Sequence, residues 1–330
     1  MNYTFDVHPH TCGEYNTRDT VMNNGQRLGE ELEDHPIPIK IEKTSKKETL
    51  EDYMKRLENN MTMNFKHNDL VIMRLDGHCF RTYTKSFLKP FDEGIADAMI
   101  FAAANLVNNF NCSSAYVFSD EITCIFPELK PLESLPFNGR MVKICTLASS
   151  HCSAKFNSNM SKGVFGNSKQ MEFVNKGNAY FDARMAIMPS KKDVSLNILW
   201  RNRSCTKNSK MAFARDFFSE KELRGINSND AIKMVDEKHA KKYSDLLGKF
   251  RCGVLVKKLE IKEIICDFET GQDIQVIRKI IGYANYDEIC NKFNDNKIPE
   301  NQETNISDFL LKRIVKLNNP LRELFLQVYI

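Results

Sequence analysis

Three carboxylates near the ends of short apolar segments are the residues best placed to do chemistry. Asp76 ends the run Leu70-Val71-Ile72-Met73-Arg74-Leu75 and is followed at once by Gly77. Asp120 and Glu121 lie between Ala115-Tyr116-Val117-Phe118-Ser119 and Ile122-Thr123-Cys124-Ile125-Phe126. Runs of apolar, β-branched and aromatic residues bounded by turn residues read as strands, the last two as the arms of a hairpin. If these strands are neighbours in one sheet, the acids converge at its edge, where crowded like charges are tolerated once a divalent cation neutralises them. That convergence points to two-metal nucleotidyl or phosphoryl transfer. Taken alone, Asp120-Glu121 reads more simply as a solvated turn, which Asp favours through local hydrogen bonds. A second apolar strand ending in Asp-Gly, with a crossover helix between, tips the reading towards chemistry.

The elements that must hold these acids follow from periodicity. Residues 92–110 read as a helix capped by Asp92, with Ile95, Met99, Ala102, Ala103, Leu106 and Phe110 on its buried side. A second helix is expected over 138–157, with Arg140 and Lys143 in its first turns, and then a loop over 157–178 rich in Gly, Asn, Ser and Lys. A strand over 180–188, closed by Pro189, carries Asp182 and Arg184, and a basic helix over 190–217 carries Arg201, Arg203, Lys207, Lys210 and Arg215. Ser219 and Glu222 spell a capping box for a short helix that Gly225 stops. A strand over 250–259 completes the unit. Beyond it come a hairpin at Thr270-Gly271 and amphipathic helices over 285–294 and 306–329, the latter interrupted by Pro320. At the other end, helical order is expected from 49–59, after a weakly ordered extension over residues 1–46. The domain reading is therefore an extension to 46, a catalytic unit over 47–258, and a C-terminal extension over 259–330.

Charge is uneven. Residues 138–258 hold 24 Lys and Arg against 10 Asp and Glu, whereas the whole chain has a formal net charge of only +4. A block this one-sided is the footprint expected for nucleic acid, although a basic block is often only a solvated helical face. No run approaches the roughly 20 apolar residues of a membrane span, and the opening residues lack the basic start and apolar core of a signal peptide. The ten cysteines are scattered with no CxxC, the usage of a reducing compartment. His8, His10 and Cys12 read as parts of a polar tail rather than as ligands. A soluble, intracellular protein is expected.

Five motifs then carry a family resemblance: Arg74-Leu75-Asp76-Gly77-His78-Cys79-Phe80, Lys89-Pro90-Phe91-Asp92, Ser119-Asp120-Glu121, Phe181-Asp182-Ala183-Arg184 and Trp200-Arg201. In order and approximate spacing they resemble the tRNA-His guanylyltransferase and guanylyltransferase-like family, over roughly residues 48–258. The resemblance implies an α+β fold, a polymerase-palm-like antiparallel sheet flanked by helices, with extensions at both ends. It implies addition of nucleotides to the 5′ end of RNA, a nucleotide 3′-hydroxyl attacking a 5′ phosphorus that ATP first activates when it is a monophosphate. Asp76 and Asp120 would hold two Mg²⁺ ions with the backbone carbonyl of Gly77, and Glu121 would complete the acidic centre. GTP or another nucleoside triphosphate, and ATP, would meet Lys89, Asp92, Ser119, Arg140, Lys143 and Arg184. Arg201, Asn202, Lys207 and Asn208 would contact tRNA, and a homotetramer is the implied assembly.

The chain departs from the family pattern where tRNA identity is read. Thr206-Lys207-Asn208-Ser209 stands where guanylyltransferases acting on tRNA-His carry His-Ile-Asn-Asn, and Ala183 replaces a usual Gly. Templated extension of 5′-truncated tRNA is therefore expected ahead of addition of a single guanosine. Two other readings compete, a palm that makes cyclic or free dinucleotides and a non-catalytic RNA-binding protein. Trp200, the one tryptophan, reads as core packing rather than as a base-stacking residue.

Overall fold

The computed structural model describes residues 63–163, 168–266, 272–294, 305–316 and 324–329. Expectations for residues 1–62, for the Thr270-Gly271 turn and for Pro320 lie outside the described residues.

The strands are β1 (Leu70–Gly77), β2 (Ser114–Phe118), β3 (Glu121–Ile125), β4 (Phe181–Met188), β5 (Val254–Cys266), β6 (Asp273–Asn285), β7 (Val315–Lys316) and β8 (Leu326–Gln327). They form one sheet in the order β4-β1-β3-β2-β5-β6-β8, with β7 beside β5, and every pairing is antiparallel except β5 with β7. The helices are α1 (Phe80–Tyr83), α2 (Glu93–Asn109), α3 (Met141–Met160), α4 (Ser168–Asn175), α5 (Lys191–Ala214), α6 (Ser228–His239), α7 (Gly248–Arg251), α8 (Tyr286–Asn294) and α9 (Ile306–Leu311). This is the α+β, palm-like arrangement expected.

Side chains alternate across a strand, so each strand feeds two cores. Val71, Met73 and Leu75 of β1, with Ile122 and Cys124 of β3, pack under α2 and α3 in one apolar cluster. The alternation Met141, Ile144, Ala148, Cys152, Phe156 and Met160 supplies the sheet-facing stripe of α3. On the opposite face, Leu70, Ile72, Tyr116, Phe118 and Ile125 pack against Val194, Ile198 and Cys205 of α5. The Asp92 carboxylate caps α2 by accepting from the Ile95 backbone N–H at 3.1 Å, and Ser190 caps α5 by accepting from Asp193 N–H at 3.3 Å.

Several boundaries differ from the sequence reading. The expected 157–178 loop contains α4, and α3 begins at Met141 because Phe137, Asn138 and Gly139 take left-handed conformations that a helix cannot hold. The Ser219–Glu222 hydrogen bonds of a capping box form, yet the chain makes only turns there, and Gly225 leaves them at φ +80°. The next helix is α6, which the sequence reading missed. The expected strand at 250–259 starts later, after α7, and runs on to Cys266 with β6 as its partner over its full length. In place of a helix over 306–329, α9 ends at Leu311 and short strands follow. The nine cysteines among the described residues are unpaired, and no described helix is long and apolar enough to cross a membrane.

Candidate active site

Register places the acids before any side chain is considered. Asp76 of β1 faces Glu121 of β3 on one side and Asp182 of β4 on the other. Cross-strand neighbours in antiparallel sheet share a face with Cβ atoms about 5 Å apart, so the three carboxylates form a row. Two residues back along β1, Arg74 lies between Thr123 and Arg184 in a second row on the same face. Asp120 stands in the β2–β3 turn, entered through Ser119 at φ +53°. Its carbonyl accepts from Gly77 N–H at 3.0 Å, which ties the turn to the end of β1. Any side chain at Gly77 would collide with Phe80, whose ring lies 2.3 Å from where a Cβ would sit.

The cations sort these acids into two kinds. Arg201 of α5 grips Glu121 with both arms, Nε to Oε1 at 2.7 Å and Nη2 to Oε2, and Arg74 lies 3.9 Å from the same carboxylate. Arg184 pairs with Asp182 at 2.7 Å. Asp76 and Asp120 are left without an ion pair among the described residues. Burial, followed by the neighbouring charges of Asp76 and Glu121, raises the Asp120 carboxyl above its ordinary value, while its backbone and Ser119 hydrogen bonds oppose the rise. Burial tends to lower the Arg201 guanidinium, but the Glu121 pair outweighs it and holds Arg201 firmly charged. Cys205 beside them is pushed up to about 12, mainly by burial, and remains a thiol.

A cavity of about 590 Å³ opens over these groups, and Asp76, Asp120, Glu121, Lys89, Arg201 and Asn208 all border it. Its helical wall is legible in α5. The sheet-facing stripe runs Val194, Ile198, Arg201, Asn202, Cys205 and Ser209, apolar at one end and polar where it passes the carboxylates. Its other walls include Phe91 stacked on Phe250 at 5.0 Å and Lys249, which bridges Glu93 at 3.2 Å and Asp97 at 2.9 Å.

The remaining sequence candidates divide. Lys89 borders the cavity and donates to the Thr84 carbonyl at 2.8 Å. Ser119 and Asp92 border it too, but the Asp92 carboxylate is occupied by the Ile95 and Leu88 backbone N–H groups. Arg184 shares the carboxylate face, whereas Arg140 and Lys143 do not border the cavity: Arg140 donates to the Phe137 carbonyl and Lys143 lies 5.6 Å from the Phe137 ring. Asn202 turns inward to the Cys252 carbonyl at 2.8 Å, and Lys207 is exposed. Trp200 is 54% exposed, with the Arg201 guanidinium 4.6 Å from its ring centre, so it is not the core residue expected. Arg74 and Arg201 as partners of Glu121 were missed. The signal available was that a buried carboxylate requires a cation within reach.

Among the described residues no three His, Cys, Asp or Glu side chains form a ready metal cage. The pair of unneutralised carboxylates nevertheless fits Mg²⁺, which is held by one or two carboxylates together with substrate phosphates rather than by a complete protein cage.

A palm-like sheet with two uncompensated acids in a nucleotide-sized cavity defines the class of protein. The family model for Thg1, tRNA-His guanylyltransferase, matches residues 51–189. An uncharacterized protein of Acanthamoeba polyphaga mimivirus is 28% identical over 232 residues, covering 65% of this chain and 79% of that protein. A bacterial Thg1-like protein solved with ATP is 27% identical with a TM-score of 0.56, covering 69% of this chain and 91% of its own. Another structure of a bacterial Thg1-like protein, with GTP, is 24% identical with a TM-score of 0.57, over 79% and 98% of the two chains. The Saccharomyces cerevisiae tRNA-His guanylyltransferase is 23% identical with a TM-score of 0.52, over 68% and 95%. Through residues 51–189 this chain resembles the Thg1 family of tRNA-His guanylyltransferases, and its sheet and helices share the fold of the Thg1-like structures.

Proposed function

We propose that this chain is a Mg²⁺-dependent nucleotidyltransferase that adds nucleotides to the 5′ end of tRNA in the 3′-to-5′ direction, and that it repairs 5′-truncated tRNA by templated pairing. The observation that carries the reading is the selective neutralisation of the acids. Arg74, Arg184 and Arg201 are committed to Glu121 or Asp182, and among the described residues Asp76 and Asp120 make no ion pair where they border the cavity. Asp76 and Asp120, with the Gly77 carbonyl, would hold two metal ions, which when bound activate a 3′-hydroxyl and stabilise departing phosphate oxygens.

The chain's own groups do the rest. Arg201 holds Glu121 in place, so this carboxylate fixes the position of Arg201 and Arg74 and sets the negative field around Asp120. Lys89 supplies a point charge for phosphate at the cavity mouth. GTP and ATP are the nucleotides bound by the bacterial relatives, and both are proposed as substrates here, ATP for activating 5′-monophosphate ends. Thr206-Lys207-Asn208-Ser209 supports repair ahead of single-guanosine addition, since it lacks the His and Ile of the guanylyltransferase pattern. The protein is further proposed to act as an intracellular homo-oligomer, which sedimentation at several concentrations tests.

The deciding experiment incubates the chain with full-length and 5′-truncated tRNAs bearing mono- or triphosphate ends, each of the four nucleotides, ATP and Mg²⁺. Restoration of full length with base choice dictated by the opposite strand is the expected result. A single guanosine added whatever the template, or labelled products confined to small dinucleotides, would sink the repair reading.

A further inference from the structure

Trp200, the one tryptophan of the chain, faces solvent on the outer side of α5. It belongs to a stripe. Lys192, Leu196, Trp200, Arg203 and Lys207 follow one another at helical three- and four-residue spacing, and all five are exposed, so they share one face of the helix. The helix carries six Lys and Arg against a single acid, Asp193, which already accepts from the Ser190 hydroxyl at 2.6 Å. The face is therefore complementary to a polyanion. An indole set among cations suits single-stranded nucleic acid, whose bases stack on the aromatic ring while its phosphates meet the charges.

The position of the ring narrows what it can hold. The Arg201 guanidinium covers one face of the indole, 4.6 Å from the ring centre, while its Nε donates to Glu121 at 2.7 Å. The ring is thus braced by the group that grips the acidic centre, and its exposure falls on the rest of its surface. Arg201 and Asn208 border the carboxylate cavity, and Trp200 does not. Successive helix residues point about 100° apart, so the indole stands on the rim. A base lying there belongs to the RNA that enters the cavity by its end, not to the nucleotide held inside.

The inference rests on the repair reading. Templated addition at a truncated 5′ end requires the opposite strand to be unpaired at the cavity. Bases within a duplex stack on one another, whereas an unpaired base offers a free face to an aromatic side chain. We propose that Trp200 is a stacking platform for an unpaired base of the RNA strand opposite the truncated 5′ end, and that it holds this strand in line with the carboxylates.

The intrinsic fluorescence of the full chain tests the platform, because all tryptophan emission comes from this one position. The probes are two RNA hairpins with the same stem and a 5′-monophosphate, one blunt and one with a recessed 5′ end that leaves the 3′ strand unpaired, added without nucleotide. The recessed hairpin is expected to quench the emission and the blunt one to leave it nearly unchanged. Equal quenching by both, or binding of the recessed hairpin without quenching, overturns the proposal. So does emission that shifts with protein concentration in the absence of RNA, since the indole would then face a second copy. Trp200→Ala should weaken binding of the recessed hairpin roughly five- to hundredfold, the range for loss of one stacked base, and leave the blunt hairpin unaffected. Trp200→Phe should recover part of the loss, which separates a missing ring from a damaged fold. In extension assays Trp200→Phe should raise the KM for truncated RNA and not that for the nucleotide; a raised nucleotide KM alone overturns the assignment. The binding measurements need no catalysis. Quenching by recessed RNA in a chain that adds no nucleotide would therefore count against the repair activity and leave the platform standing.

Discussion

The two faces of β1 start alike and end differently. Under α2 and α3 the strand is apolar throughout, with Val71, Met73 and Leu75 buried. Under α5 it begins with Leu70 and Ile72 and then turns to Arg74 and Asp76. The same change is written on α5, where Val194 and Ile198 give way to Arg201. Both faces hang on one regular backbone, so the site is made by changing side chains over the last positions of one face while the other face supplies the stability. Charge on the active face is then sorted by pairing, and among the described residues Asp76 and Asp120 are its acids left without an ion pair.

The sharpest way to break this comparison is to remove those acids. Asp76→Ala and Asp120→Ala are each expected to lower nucleotide addition on the order of a thousandfold or more, as loss of preorganised charge stabilisation requires, without lowering the thermal midpoint. Extension assays and melting curves on the same preparations check both halves. Loss of fold together with activity would mean that the active face carries stability after all. The converse change is Leu75→Ala on the apolar face. A fully buried leucine truncated in a packed core costs about 2–5 kcal/mol, measurable by denaturant unfolding, while activity per folded molecule and nucleotide affinity stay near wild type.

Arg201→Met tests the sorting itself. It leaves Glu121, 6% exposed, with Arg74 at 3.9 Å and the Thr123 hydroxyl donating to it at 3.5 Å. Breaking one side of a buried pair costs about 3–5 kcal/mol, and the residual Arg74 contact puts the expectation near about 3 kcal/mol. Adding Glu121→Gln to that variant should restore most of the stability and little of the activity. If Arg201→Met alone is as stable as wild type, Glu121 is not held by this arginine.

These pairings also explain what could and could not be read from the sequence. The acidic strand ends were legible because β1, β2 and β3 are short apolar runs closed by turn residues, and α2 because its cap and its periodicity agree. Helix α4 was not, since its polar residues, among them Lys169 and Glu172, hide a stripe carried by Gln170 and Val174. The continuation of β5 past residue 259 was masked by the charged run Glu260, Lys262 and Glu263, in which Glu263 pairs with Arg278 of β6 at 3.0 Å and Glu260 with Lys316 of β7 at 3.6 Å. Arg201 was legible as a basic residue near the site but not as the partner of Glu121, because that pairing joins residues 80 positions apart.

Lys257 offers a smaller contrast between the palm and the segment that follows it. Fully buried, it donates to the Lys312 carbonyl at 2.8 Å and the Ser113 carbonyl at 3.3 Å, while Ser113 and Ser114 donate to the Leu310 carbonyl at 2.7 Å each. These bonds fasten the end of α9 to the start of β2 and to β5. Lys257→Met is expected to cost about 1–3 kcal/mol and to speed hydrogen exchange across residues 305–316, with nucleotide addition per folded molecule unchanged. Exchange that quickens equally in α2 would show the two regions to be one cooperative unit.

The smallest expected effect is the most specific. Burial and the charges of Asp76 and Glu121 hold the Asp120 carboxyl above its ordinary value of 3.8. A carboxyl raised in the folded state favours folding while protonated: that contribution is complete below the unfolded value and is lost as pH rises through the higher folded value. At pH 7 without metal, ionised Asp120 therefore weighs against the fold, and Asp120→Asn keeps the shape while removing the charge. In chelator the variant should melt above the wild type at pH 7, with the gap closing as pH falls towards 3.8. Mg²⁺ should then raise the midpoint of the wild type at pH 7 and leave the variant nearly unmoved. A variant that melts lower than wild type in chelator would mean that the hydrogen bonds at the Ser119–Asp120 turn outweigh the crowded charge, and the active face would be paired for stability like the rest of the sheet.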